Sequence, residues 1–245
     1  MFFPAPFDTT AVDFLESNNV PIYKIASFEI TDIPLSEYTA SKRKPIIIST
    51  GIVIIGEIFE AVVACRRMNN YDITLLKCTS SYPAPIPEAN LKTMINMKET
   101  FGVKTGLSDH AMGSDVAIAA VALGAEVVEK HFILDRKIGG PDAEFSMESA
   151  EFMAMVYSIR NVEKALGSVT YKLSEGTIKN REFSRSLFVV EEINVGELFT
   201  EINDQSIRPG YWLPPKEVES FIVKQARYAI KKGNALSMGY VELIR

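Results

Sequence analysis

The chain has 245 residues, a net charge of −5 and a pI near 5.3, and 47% of its residues are hydrophobic. Such an acidic chain lacks the basic excess of a nucleic-acid-binding face, so we expect no nucleic-acid partner. Its opening MFFPAPFDTT lacks the basic start and apolar core of a signal peptide, and no apolar run approaches the roughly 18 residues that span a bilayer, so we expect a cytoplasmic protein with no membrane partner.

Short apolar runs typical of strands alternate with segments of helical periodicity. The predicted strands are 22–27, 45–51, 73–80, 103–109 and 126–133. They are followed by predicted helices near 35–43, 55–70, 90–102, 113–125 and 147–167. The opening FFPAPFD is predicted to be the tail of a sixth strand. This rhythm is typical of βα units that build a parallel sheet.

Polar side chains follow the predicted strands at their carboxyl ends. They are Lys24, Ser27, Ser49, Thr50, Thr79, Ser80, Ser108, His110, Glu129 and His131. Barrel enzymes build their sites at this end of the strands, which favours part of a (β/α)₈ TIM barrel over an open doubly wound sheet. The sequence contains neither G-x-G-x-x-G nor a P-loop, so nucleotide binding loses support.

The βα rhythm ends after Gly167. Short strand-like runs, turn residues and a Pro/Gly cluster follow it. We therefore predict a partial barrel over residues 1–167, a linker over 168–181 and a small β-rich domain over 182–245.

The chain has only two histidines, and each follows a short apolar run. Side chains alternate along a strand, so Gly106, Ser108 and His110 share one face, and so do Glu129 and His131. Neighbouring strands lie about 4.8 Å apart, so both imidazoles could reach one divalent ion of the Mn, Zn, Fe or Co kind. The alternative is that each is a hydrogen-bonded residue at a strand end, and the spacing alone leaves both open.

Lys24 lies inside an apolar strand, where an uncompensated ammonium is costly. It could bind a phosphate or carboxylate, form a Schiff base as in class I aldolases, or extend from the strand end to solvent. The serines and threonines at the strand ends could donate hydrogen bonds to an anion or serve as turn and cap residues. Asp109 could cap the following helix.

Taken together, six motifs resemble the sialic acid synthase family in their order and spacing. They are YKIAS, IISTG, CTSSYP, GLSDH, VEKHF and GPD. REFSRSLFV and IRPG resemble the family's antifreeze-like (SAF) domain. CTSSYPAP, PDAEFSME and IRPGY look most like the branch that makes pseudaminic acid. The resemblance implies condensation of phosphoenolpyruvate with an N-acetylated amino sugar to a nonulosonic acid.

The resemblance also implies roles for individual residues. The divalent ion, Mn²⁺ or Mg²⁺, would be bound by His110 and His131 and would polarise the sugar aldehyde. The residues that would hold phosphoenolpyruvate are Lys24, Ser27, Ser49, Ser80 and Ser108. The residues that would face the sugar or its activating water are Glu29, Tyr82 and Asp142. Arg208 would reach the partner's barrel in a domain-swapped homodimer.

The sequence departs from the family pattern in several places. Ser80 stands where many members have Asn, and Ala5 stands where a hydroxyl residue is common. The family's E-I-G-x-N-H-x-G and K-F-Q segments, from its first βα units, are absent, so we expect a truncated chain without activity of its own. Two alternatives remain: a Schiff-base aldolase that uses Lys24, and a catalytically dead fragment that serves as a binding or dimerisation module.

Overall fold

The computed structural model of the protein describes residues 2–241, and the chain divides into two compact units, residues 1–168 and 169–245. The first unit contains a five-stranded parallel sheet in the order β1-β2-β3-β4-β5. The strands are β1 (Tyr23–Ile25), β2 (Ile46–Ser49), β3 (Ile73–Cys78), β4 (Lys104–Asp109) and β5 (Val128–Lys130). The helices are α1 (Thr9–Ser17), α2 (Ile33–Ser41), α3 (Ile55–Arg67), α4 (Lys92–Phe101), α5 (Asp115–Ala122) and α6 (Ser149–Leu166).

The strands are short, and the first three are largely apolar and buried. All four residues of β2 are buried. One buried cluster joins β1–β3 to the first helices and includes Ile48, Val62 and Leu75. A second joins β4 to α5 and α6 and includes Leu107 and Met155.

The pairing of the strands brings their carboxyl ends to one edge of the sheet. Ser49 pairs with Leu76, Cys78 with Ser108, and Ser108 with Glu129. Each strand therefore ends beside the end of its neighbour. Polar residues that are 20 to 30 positions apart in the sequence become neighbours in space.

The opening segment differs from the prediction. Residues 2–8 form no strand, and α1, which we did not predict, follows directly. Pro4 and Pro6 provide no backbone N–H for a ladder, which disfavours a strand here. Asp8 instead caps α1, because its carboxylate accepts a hydrogen bond from the Ala11 N–H at 2.8 Å. The predicted sixth strand is wrong.

Strand β5 is also shorter than predicted. It ends at Lys130, and beyond it the chain pairs with the segment around Met147 instead of with β4. The backbone N–H of Met147 donates to the His131 carbonyl at 2.9 Å. His110 and His131 are thus each the first residue after a strand.

The second unit holds an antiparallel pair, β6 (Ser186–Val189) and β7 (Asp204–Ile207), over a small apolar core. Isolated bridges such as Ile193↔Ile230 connect its other segments. A short helix, α7 (Glu175–Asn180), lies inside the segment that we predicted as a linker. Among the residues that the structure describes, no helix is both long and apolar enough to cross a membrane.

Gly106 in β4 marks a close approach between strands. A Cβ atom at this position would lie 2.3 Å from the Val127 carbonyl oxygen and 2.8 Å from Leu76 Cδ2. We expect Gly106→Ala to lower the free energy of unfolding by about 1–3 kcal/mol, because the backbone must move to admit the methyl group.

Urea unfolding followed by far-ultraviolet circular dichroism measures this loss. Tryptophan fluorescence would not report on the first unit, because the single tryptophan, Trp212, lies in the second unit. Gly56→Ala in α3 is the matched control, because a Cβ there meets nothing within 4 Å. We expect the control to be neutral or stabilising. Equal effects of the two variants would contradict the close approach at Gly106.

Candidate active site

A polar network joins four strands at the carboxyl edge of the sheet, with Glu129 at its centre. The Lys24 ammonium donates to both Glu129 carboxylate oxygens, at 2.9 and 2.8 Å, and to Ser49 Oγ at 2.8 Å. Ser108 Oγ donates to Glu129 Oε1 at 2.7 Å. Because Lys24 is only 8% exposed, Glu129 supplies the negative charge that a buried ammonium requires.

The Glu129 carboxyl is charged at neutral pH. Burial by itself would raise its pKa, but the Lys24 charge and the hydrogen bonds from Lys24 and Ser108 outweigh burial and hold the pKa below its usual value. The three hydrogen bonds from Lys24 also use all three of its N–H groups. The positive charge of Lys24 is therefore balanced by Glu129, and Lys24 has no N–H group left without a hydrogen bond.

The two histidines lie side by side at this edge. Their ring centroids are 5.2 Å apart, with the ring planes inclined by 63°. His110 Nδ1 lies 3.0 Å from the Thr79 carbonyl oxygen. A carbonyl can only accept, so Nδ1 carries a proton, and in the neutral ring the free lone pair is on Nε2. The ring centroid of Tyr82 lies 4.4 Å from that of His110, and the ring centroid of Phe145 lies 4.9 Å from that of His131.

The two imidazoles have different proton affinities. Burial lowers the pKa of His131, and the nearby charge of His110 lowers it further, so His131 is neutral at physiological pH. Burial would lower the pKa of His110 as well, but its contacts with the Cys78 thiol and the Thr79 carbonyl raise it above its usual value. In return, the pKa of the Cys78 thiol lies below its ordinary value despite burial, because His110 favours the thiolate.

The spacing of the histidines fits one shared divalent ion. Metal–nitrogen bonds of about 2.0–2.1 Å on two imidazoles at roughly the tetrahedral angle place the ring centroids about 5 Å apart. Within residues 2–241, no three His, Cys, Asp or Glu side chains form a ready coordination set. Two protein ligands leave positions open for water and substrate, as a catalytic ion requires.

A small polar cradle surrounds Gly51, directly after β2. A Cβ at this position would lie 2.1 Å from Ser80 Oγ and 2.9 Å from both Cys78 Sγ and Ser27 Oγ. Only glycine fits, and its N–H donates to Ser27 Oγ at 3.1 Å. Ser27 and Ser80, which follow two different strands, are thus both brought next to Gly51.

The structure brings most of the predicted site residues together but not all of them. Glu29 has a buried carboxylate oxygen without a hydrogen-bond partner among the described residues. Asp142 lies on an exposed loop, and its Oδ2 is 3.6 Å from His131 Nδ1, too far for a hydrogen bond. Tyr82 is 47% exposed. Arg208 follows β7 in the second unit, whereas all the others belong to the first.

Sequence reasoning gave no site role to Glu129, Cys78 or Gly51. The alternation rule placed Glu129 on the same face as His131, but nothing in the sequence showed that Lys24, 105 residues earlier, would be its partner. Cys78 ends β3 on the face that Ser80 shares, so the rule of strand ends could have found it. Asp109 does not cap α5, because its carboxylate binds Ala111 N and Lys130 instead.

The Lys24–Glu129 pair makes a testable contribution to stability. We expect Glu129→Gln to lower the free energy of unfolding by about 1–2 kcal/mol at about pH 7. This is less than a fully buried pair would lose, because the Glu129 side chain is 44% exposed and solvent screens it. Since the pKa of Glu129 is lowered by folding, its contribution is present above its ordinary value of 4.5 and disappears as the pH falls through the lower, folded value.

Urea unfolding at about pH 7 and about pH 3.5 measures both the loss and its pH dependence. Glu126→Gln is the matched control, because Glu126 has the same 44% exposure but pairs with Lys98, which is 53% exposed. We expect the control to lose less than about 0.5 kcal/mol. A loss at Glu129 that is equal at both pH values would exclude the ion pair as its cause.

The sequence and the fold are similar to proteins of one family. The NeuB family profile matches residues 1–171. Pseudaminic acid synthase of Helicobacter pylori is 46% identical over 241 residues, which cover 98% of this chain and 71% of that protein. N,N'-diacetyllegionaminic acid synthase of Campylobacter jejuni is 42% identical over 228 residues, which cover 92% of this chain and 68% of that protein.

The fold is similar to a solved structure of the same kind. The spore coat polysaccharide biosynthesis protein spsE of Bacillus subtilis aligns with 100% of this chain and 74% of its own, with a TM-score of 0.65 and 30% identity. The predicted α/β fold with part of a (β/α)₈ barrel is confirmed, and so is the resemblance to the sialic acid synthases. The chain belongs to the NeuB family.

Proposed function

We propose that this chain carries the phosphoenolpyruvate- and metal-binding part of a synthase that condenses phosphoenolpyruvate with an N-acetylated amino sugar to form a nonulosonic acid, with pseudaminic acid as the product. The observation that carries the proposal is the meeting of two groups at one edge of the sheet. A buried ammonium lies among hydroxyls on one side, and two imidazoles with room for an ion lie on the other. The 46% identity to a pseudaminic acid synthase supports pseudaminic acid as the product.

The anionic substrate is held at the lysine side. Lys24 brings positive charge, and the hydroxyls that donate beside it are Ser27, Ser49, Ser80 and Ser108. The N–H of Gly51 donates to Ser27 Oγ and so orients that hydroxyl. Hydrogen bonds from charged and neutral donors that converge on one small volume are suited to the phosphate and carboxylate of phosphoenolpyruvate.

The sugar is held at the histidine side. A divalent ion, Mn²⁺ or Mg²⁺, on His110 and His131 would supply Lewis acidity at the sugar aldehyde. C3 of phosphoenolpyruvate attacks the aldehyde carbon, water adds at C2 and phosphate leaves. Glu29 Oε2, which has no hydrogen-bond partner among the described residues, is suited to accept a proton from that water. Tyr82 and Asp142 would face the sugar.

A Schiff-base aldolase is the weaker reading of the same residues. A nucleophilic lysine needs a lone pair on its nitrogen. All three N–H groups of Lys24 are donated, two of them to the Glu129 carboxylate. The Lys24 environment therefore counts against imine formation.

The experiment combines turnover with metal binding. The chain, joined at its N-terminus to the first βα units of a family member, is incubated with phosphoenolpyruvate, Mn²⁺ and a panel of N-acetylated amino sugars, and the nine-carbon product is identified by mass. We expect His131→Ala to lower turnover by at least about 100-fold and to weaken Mn²⁺ binding, because it removes one of two protein ligands. Binding is measured by titration calorimetry, so the metal site is tested independently of turnover.

Lys137→Ala is the matched control, because Lys137 is an exposed residue of the segment that follows β5. We expect this variant to keep the turnover and Mn²⁺ affinity of the parent chain. Near-normal turnover and Mn²⁺ binding in His131→Ala would exclude the shared ion.

We also propose that Arg208 acts in the site of a partner copy within a domain-swapped homodimer in which the second unit is an antifreeze-like (SAF) domain. The support is the IRPG motif and the ability of a guanidinium to hold a sugar oxygen in fixed geometry. We expect Arg208→Ala and His110→Ala to be inactive separately. Mixed dimers should regain about half the activity, because one of the two sites then keeps all its residues.

Activity is measured after the two variants are unfolded together and refolded, with heterodimers purified by two different affinity tags. Each variant refolded by itself is the control. A verified heterodimer without recovered activity would contradict the swapped arrangement.

A further inference from the structure

A second ion pair lies on the opposite face of the sheet from the candidate site. Lys130 Nζ is 2.7 Å from Asp109 Oδ2, and the two side chains are 1% and 3% exposed. Lys130 also donates to the Ala111 carbonyl at 2.6 Å, and Asp109 Oδ1 accepts from the Ala111 N–H at 2.9 Å. The ion pair is therefore buried, in direct contact, and hydrogen-bonded to the backbone of Ala111.

This pair closes the ladder between β4 and β5. Asp109 and Lys130 are the last residues of the two strands, and they are paired with each other in the register. The next residue on each strand is a histidine. Because side chains alternate, Ser108 and Glu129 point to the site, Asp109 and Lys130 point to the helices, and the histidines point to the site again.

The ladder itself does not join the two histidines. Past Asp109 the His110 carbonyl accepts from Ala84 N at 2.9 Å, and the His131 carbonyl accepts from Met147 N at 2.9 Å. These partners belong to two different loops. The Asp109–Lys130 contact is thus the last direct connection between the strands before the imidazoles, which stand 5.2 Å apart by ring centroid.

A buried ion pair is a weak source of stability, since desolvation offsets its attraction, but it does select one geometry. We propose that Asp109 and Lys130 are a positioning pair that sets the separation of His110 and His131, and through it the affinity for the divalent ion. The inference rests on the proposed function for the identity of the ion. The effect on histidine geometry does not need the ion.

The test removes both charges together. A single change would leave an unpaired charge in a dry site and unfold the strand ends, so the main variant is Asp109→Asn with Lys130→Met, which keeps both shapes. We expect a thermal midpoint close to that of the parent chain. We expect a Mn²⁺ affinity about 10- to 100-fold weaker, as is typical when a group that orients a metal-binding side chain is lost. Calorimetry on the whole 245-residue chain, purified without a polyhistidine tag, measures the affinity.

A metal-free readout follows from the histidine content. Since the chain has only two histidines, isotope-labelled histidine gives two sets of ring signals in nuclear magnetic resonance spectra. In the parent chain, stripped of metal, we expect a nuclear Overhauser cross-peak between the two rings. In the double variant we expect this cross-peak to lose most of its intensity.

The matched control is Asp72→Asn with Lys104→Met. That pair has a similar contact, 2.8 Å, at the start of β4 but is about half exposed, at 48% and 54%. We expect it to change neither the Mn²⁺ affinity nor the cross-peak. It shows the effect of removing a lysine–aspartate pair from the sheet without touching the histidine end.

The outcomes separate this inference from the proposed function. A folded double variant with parental Mn²⁺ affinity and an intact cross-peak overturns the positioning pair. If the double variant does not fold, Asp109→Glu, which keeps the charge but moves the carboxylate by one methylene, is measured instead, and the same parental values overturn it. A parent chain that shows the cross-peak but binds no Mn²⁺ refutes the shared ion, and the cross-peak of the variants still decides the positioning role.

Discussion

The in-register parallel pairing of β1 to β5 is the constraint on which every other feature of the first unit depends. Side chains alternate along each strand, so a slip of one residue would exchange the two faces of that strand. The apolar pairs, such as Ile48 with Leu75, hold the register from the core. The polar residues at the strand ends are then brought to one edge without any need to attract one another.

The two ion pairs at β5 show how differently the two faces use charge. Glu129 faces the candidate site, is 44% exposed and binds Lys24. Lys130, the next residue, faces the helix layer and binds Asp109 where both side chains are almost fully buried. The first pair is partly open to solvent, whereas the second is not. Adjacent residues on one strand thus place one ion pair at the candidate site and another against the helices.

The two histidines differ in environment although they stand in equivalent places. His110 is oriented by the Thr79 carbonyl and touches the Cys78 thiol, so its proton is held on Nδ1. His131 has no hydrogen bond of this kind among the described contacts, and burial keeps it neutral. Such a pair offers one imidazole of fixed tautomer and one that can adapt. This arrangement suits an ion whose remaining positions must exchange water for substrate.

Periodicity and local composition determined much of this protein directly from the sequence. The five strands, five of the six helices of the first unit and the position of the polar residues at the strand ends all follow from hydrophobic spacing, because these signals lie within a few residues of one another. Helix α1 was not predicted; its local signal is the Asp8 cap, which closely follows two prolines. The motifs around His110 and His131 also indicated the family.

Tertiary structure alone decided which of these residues are partners. Lys24 and Glu129 are 105 positions apart, and only the order of the strands shows that they meet. The role of Asp109 likewise depended on Lys130, a residue that no local pattern distinguishes from a solvated lysine. Sequence patterns report on neighbours along the chain, whereas charges are satisfied by neighbours in space, so the fold had to decide which buried charges are paired.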